Sequence, residues 1–181
     1  MVTMPALVRA ETDERGGLLA FLAEQRAGLR RTVHGLTDEQ AASRPSASEL
    51  TLGGLVKHAA RTERWWMSVV LAGRPDPHPA APETRGSDFR MEEGETVADL
   101  LAAYETAAKE TEETVAALPD LERTAPLPEA PWFPQGSRRS ARWILFHLIE
   151  ETARHAGHAD IIRESLDGTT AYELLDATGE W

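Results

Sequence analysis

No cysteine occurs among the 181 residues, which excludes disulfides, thiolate metal ligands and a protein thiol nucleophile together. Any metal must sit on His, Asp or Glu, and any sulfur chemistry needs a thiol carried in by a small molecule. Long apolar runs are also missing. None approaches the roughly 18 residues of a membrane span, and nothing reads as a secretory signal, so the expectation is a cytoplasmic protein with no membrane partner. Positive charge is scarce: 19 Lys and Arg against 30 Asp and Glu leave a net charge of -11. A nucleic-acid surface normally needs a basic patch, so no nucleic-acid partner is expected.

What remains is an ordinary globular composition, 41% hydrophobic and 27% charged. A chain of this length is expected to form one domain over residues 1–181, with its core over about residues 14–168. Apolar residues recur at helical spacing in four long stretches. From about Glu14 to Val33 the stripe is Leu18, Leu22, Gln25, Leu29 and Val33. Thr37 with Gln40 reads as a capping box for a short turn through Ala42, which Arg44-Pro45 ends. Thr51 caps a second long helix to Leu71, with Leu55, Val56, Ala59, Thr62, Trp66 and Val69 facing inward. Gly73 stops it, and Pro75 to Pro82 forms a proline-rich loop. Thr96 starts a third helix to about Leu118, carrying Val97, Leu100, Leu101, Tyr104, Ala108, Thr111 and Val115. Pro119 to Gly136 is another long connection, and a fourth helix runs from about Ser140 to Leu166, ending before Gly168. A short turn at Ala171 to Ala177 follows. No stretch shows convincing strand alternation. The expectation is therefore all-α: a four-helix bundle with antiparallel helices and two long connections.

The fourth helix carries the chemistry. Trp143, Ile144, His147, Glu151, His155, His158 and Ile162 share one stripe, because steps of three and four return to the same face. A carboxylate there is costly unless it is paired, hydrogen-bonded or bound to a metal. Spacing leaves three adjacent ligand pairs open: His147/Glu151, Glu151/His155 and His155/His158. A third ligand has to come from another helix, and His58 is the good candidate; a core histidine bonding a carbonyl or Glu63 is its other reading. Two His and one carboxylate suit Zn²⁺, Ni²⁺ or Fe²⁺ and leave positions open for water or substrate. His34 at a helix end and His78 in a loop read as structural or exposed. Arg138, Arg139 and Arg142 cluster at the start of the fourth helix, where they either hold an anionic thiol or substrate or simply face solvent. Trp65, Trp66, Trp132 and Trp143 either wall a pocket or pack in the core.

Two segments carry a resemblance: Leu52-Gly53-Gly54-Leu55-Val56-Lys57-His58 followed by Glu63-Arg64-Trp65-Trp66, and Arg142-Trp143 through His147 and Glu151 to His155-Ala156-Gly157-His158-Ala159-Asp160. Over about Leu18 to Gly168 the chain resembles the DinB-like superfamily, which includes mycothiol-dependent maleylpyruvate isomerases and bacillithiol and mycothiol S-transferases. It is most similar to an actinobacterial branch of that superfamily. The resemblance implies a metal triad of His58, Glu151 and His155, with His158 and His147 behind it. It also implies a metal-dependent transferase that adds a low-molecular-weight thiol, mycothiol, to a small electrophile. His158, Arg154 and Glu150 are then the candidate proton acceptors or orienting groups. A hydrolase using the same metal, and a non-catalytic ligand-binding bundle or homodimer, are the other readings.

Overall fold

The structure, a computed structural model, describes residues 8–77, 86–128 and 133–179. His78 and Trp132 lie outside the described residues, as do residues 1–7. Four long helices dominate: α1 (Glu14–Arg31), α3 (Leu52–Arg64), α4 (Val97–Ala117) and α5 (Ala141–Asp167). Two short helices join them, α2 (Asp38–Ala42) and α6 (Ala171–Thr178). Each begins where the sequence offers a side-chain acceptor for a free N–H group. Thr51 accepts from Gly54 N, Thr96 from Asp99 N and Ser140 from Trp143 N. The reciprocal Thr37–Gln40 box opens α2. Gly168 ends α5 at φ +82°, a left-handed conformation that a side chain would disfavour.

The helices are not all antiparallel. Glu14 pairs with Arg142 at one end of α1, and Arg163 Nη1 donates to the carbonyls of Thr32 and His34 at the other, so α1 runs parallel to α5. Likewise Lys57 meets Glu95 and Glu63 meets Thr111, which makes α3 parallel to α4. Residue spacing encodes which face is buried but not which way a helix points. The parallel pairing puts the end of α3 and the start of α4 at opposite ends of the bundle, so the two cannot be joined by a tight turn.

Two further features correct the sequence reading. The second long helix does not stay α-helical: Trp65–Leu71 is a π turn, with Ala72 N–H donating to Met67 O five residues back. The wider turn rotates the inner face, so Met67, Val70 and Leu71 are buried while Val69, expected inside, is half-exposed. A small antiparallel ribbon also forms, β1 (Thr124–Pro126) against β2 (Arg138–Ser140), pairing Ala125 with Arg139. Arg138 and Arg139 therefore lie on a strand, not in the first turn of α5.

The core has two apolar clusters. One gathers Leu18, Leu22, Met67, Val115, Ile144 and Leu148; the other gathers Leu29, Leu52, Leu55, Val56, Tyr104 and Ile162. Between them lies a polar layer. Arg26 of α1 donates from Nε and Nη2 to Glu63 of α3 at 2.9 and 2.6 Å, and Thr111 Oγ1 of α4 donates to Glu63 Oε1 at 2.6 Å. Thr152 of α5 is buried in the same stretch between the clusters. Among the described residues no helix is long and apolar enough to cross a membrane.

Candidate metal centre

Where α3 crosses α5, one carboxylate oxygen receives two imidazoles. Glu151 Oε1 stands 3.1 Å from His58 Nε2 and 3.1 Å from His155 Nε2. One atom from each of the three residues falls within 4.8 Å of the others. Glu151 and His155 are set by one turn of α5, while His58 arrives from the antiparallel α3. The two imidazoles hold the Glu151 carboxyl well below the usual carboxylate range, His155 contributing most, and this outweighs the opposing effect of burial. The side chains of His58, Glu151 and His155 are 14%, 26% and 10% exposed, so the group is largely desolvated yet open on one side.

Two imidazole nitrogens and an ionised carboxylate oxygen, converging at a partly open seam, fit a divalent cation of the Zn²⁺, Ni²⁺ or Fe²⁺ class. Groups behind the ligands fix their orientation. His158 Nδ1 lies 3.4 Å from His155 Nδ1, the ring nitrogen that does not face Glu151. Thr62 Oγ1, by contrast, lies 3.4 Å from His58 Nε2, the nitrogen that faces Glu151, and so does not sit behind His58. Phe89, which no sequence signal had singled out, stacks on the His58 ring with centroids 4.0 Å apart and planes 21° from parallel. It comes from a 3₁₀ turn at Ser87–Phe89, whose closeness to α3 no periodicity encodes.

The other expected residues lie elsewhere. His147 stacks on Trp143 at 5.2 Å and meets the edge of Trp66 at 5.1 Å, while its Nδ1 is 3.7 Å from Glu150. Glu150 and Arg154 are exposed on the outer side of α5. Trp143, expected on the buried stripe, is 41% exposed, because that stripe runs through Ile144, Leu145, Leu148 and Thr152. Glu63 does not bond His58; it is taken by Arg26 and Thr111. The three arginines lie at and just before the start of α5, Arg138 and Arg139 on β2 and Arg142 in the first turn of the helix. Arg142 donates to Glu14 at 2.6 and 3.0 Å and also pairs with Glu122. Arg138 donates to Thr124, and the Arg139 guanidinium lies 4.8 Å over the Trp143 ring. From Arg142 to Glu151 is nine residues of helix, or about 14 Å at ~1.5 Å per residue.

A family model described as Mycothiol-S-transferase matches residues 17–168. Among solved structures, a conserved protein of a locus from Enterococcus faecalis is similar to this chain with a TM-score of 0.60. It is 16% identical, and the match covers 88% of this chain and 100% of that one, a likeness of fold alone. No curated protein matches this chain.

Proposed function

Because the chain belongs to the Mycothiol-S-transferase family, a DinB-like one, we propose that it transfers mycothiol to an electrophilic small molecule at His58, Glu151 and His155. The observation that carries this reading is the convergence of three ligand atoms within 4.8 Å on facing helices. A divalent cation held there, zinc first and nickel or iron as alternatives, would act as a Lewis acid and favour the thiolate of an incoming thiol at neutral pH.

The chain's own residues supply the rest. His58 and His155 present Nε2 atoms, Glu151 presents an ionised oxygen, and His158 holds the back of His155. With no cysteine of its own, the protein takes its sulfur from the co-substrate. The thiol loses its proton, sulfur bonds to the electrophilic carbon, and the electrophile's leaving group or π electrons depart from that carbon. His158, 3.4 Å from His155, is the group assigned to receive that proton, while Glu150 and Arg154, exposed on α5, would serve as orienting groups. Arg138 and Arg139, reached along Trp143 and His147, would hold an anionic group of a substrate, while Arg142 serves the Glu14 and Glu122 pairs. The cytoplasm, where small thiols stay reduced, is the compartment this activity suits.

The test is conjugate formation from mycothiol and a bimane or haloarene, followed by mass spectrometry, together with elemental analysis. Metal-loaded protein should accelerate conjugation. His58→Ala, Glu151→Ala and His155→Ala should each lose both metal and acceleration, whereas His34→Ala should keep both. Equal rates with and without protein over several thiols and electrophiles would overturn the transferase reading, and metal-dependent hydrolysis without thiol would replace it.

A further inference from the structure

The segment from Gly86 to Glu95 is fastened to α3 at several points. Gly54 on α3 is so close to it that a Cβ at that position would lie 1.9 Å from the Phe89 carbonyl oxygen, a backbone atom with no freedom to yield. At Gly53 a Cβ would meet the Met91 side chain. One turn further along, the buried Lys57 donates from Nζ to the Arg90 carbonyl at 3.2 Å and to Glu95 Oε2 at 2.8 Å, and it pairs with Glu92 at 3.2 Å. Arg61 pairs with Asp88. The fastened residues are Asp88, Phe89, Arg90, Met91, Glu92 and Glu95. The one ring among them, Phe89, is laid on His58 and also approaches His155 at 5.6 Å.

The two histidines of the triad are held differently. His155 is gripped at both ring nitrogens, by Glu151 and by His158. Both hydrogen bonds of His58 among the described residues run through Nε2, the nitrogen aimed at Glu151. A ligand imidazole usually has its plane fixed by a partner on the nitrogen that does not bind the metal. At His58 the near-parallel face of Phe89 occupies that role, since rotation of the imidazole out of its present plane would drive it into the phenyl ring.

We infer that Phe89 is a positioning residue for His58, and that Gly53-Gly54, Lys57 and Arg61 form a clamp whose purpose is to hold that ring in place. The inference rests on the triad being a metal site. It gives the Leu52-Gly53-Gly54-Leu55-Val56-Lys57-His58 stretch one physical meaning. The glycines admit the segment, the lysine fastens it, and the histidine receives the ring it carries.

Co²⁺ titration of the metal-free protein tests this, read by affinity and by the visible absorption band, which reports ligand geometry without any turnover. Phe89→Leu keeps apolar bulk but removes the flat face. It should weaken Co²⁺ binding about 10-fold or more, within the range typical of groups behind a ligand, and shift the band. Phe89→Tyr keeps the ring and should stay within about twofold of wild type, well short of that loss. Gly54→Ala, which displaces the segment without altering the ring, should reproduce the leucine spectrum while the protein still unfolds cooperatively. Wild-type affinity and band in Phe89→Leu would overturn the inference, as would equal losses in the leucine and tyrosine variants. A wild-type protein that binds no Co²⁺ would instead overturn the metal reading itself, and the inference with it.

Discussion

Glu63→Ala puts the largest predictable strain on the bundle without touching a triad residue. The Arg26 and Glu63 side chains are 6% and 2% exposed, and they meet through two charge-assisted hydrogen bonds with Thr111 adding a third. Alanine removes all three and strands a buried guanidinium, whose nearest remaining carboxylate is Glu112 at 3.6 Å, itself 57% exposed. Removing one partner of a buried pair costs about 3–5 kcal/mol, and Glu112 moves the expected value toward the lower end. Against a total stability of about 5–15 kcal/mol this is a large share. At roughly 2–4 °C per kcal/mol for a chain of this size, Tm should fall by about 6–20 °C. Urea unfolding followed by tryptophan fluorescence gives the free energy, and thermal unfolding followed by circular dichroism gives Tm. The double variant Arg26→Met/Glu63→Leu should recover most of the loss, because apolar replacement of the whole pair removes the desolvation penalty along with the attraction. Metal content should be unchanged in both variants. A loss below about 1 kcal/mol in Glu63→Ala, the level of an exposed pair, would refute the reasoning. So would a double variant no more stable than the single one.

Two smaller perturbations separate orientation and burial from the rest. His158→Ala should keep one metal site but weaken it by about 10- to 100-fold, measured by competition with a chelating dye; unchanged affinity would detach His158 from His155. Burial raises the Asp160 carboxyl above its ordinary value, Glu164 adds to this and Arg31 opposes it. A raised acid binds its proton more tightly in the folded state, so its cost is fully present above the raised pKa and disappears as pH falls below the unfolded value, about 3.9. Asp160→Asn should therefore raise Tm at pH 7, with the gap over wild type closing as pH is lowered through the carboxylate range; a gap that does not depend on pH would contradict this.

The sequence carried the helix starts because they depend on one side chain and the N–H groups next to it. Thr37, Thr51 and Thr96 cap where spacing and residue type placed them, and the fourth helix starts at Ser140, which caps it. The close approach of Glu151 to His155 was legible for the same reason, one helical turn being fixed by local geometry. What was not legible depends on contacts distant in the chain. Nothing in the pattern Trp65 to Leu71 distinguishes a π turn from an α turn; the π turn goes with burial of Met67 and Leu71 in the cluster that holds Leu18 and Leu148, a contact distant in the chain. The three-residue strands are too short to show alternation. Phe89 looks like any loop aromatic until Gly54, thirty-five positions earlier, is seen to make room for its backbone.

The placement of the candidate site follows from how the core is divided. The two apolar clusters supply the burial that holds the helices together, and the stretch between them is where every long helix turns a polar side chain inward: Arg26, Glu63, Thr111 and Thr152. On the α1, α3 and α4 side these groups satisfy one another, so that part of the layer is closed and costs little beyond its desolvation. On the α3/α5 side the layer reaches the surface, and there His58, Glu151 and His155 meet. A metal site needs ligands dry enough to be held in one geometry and open enough for a substrate to approach. Deeper in either cluster the carboxylate would have no solvent-facing side, and on the outer face of α5, where Glu150 and Arg154 sit, nothing would fix the imidazoles. The candidate triad at the α3/α5 seam lies between these extremes, its His58, Glu151 and His155 side chains 14%, 26% and 10% exposed, while the two clusters carry the burial that holds the helices together.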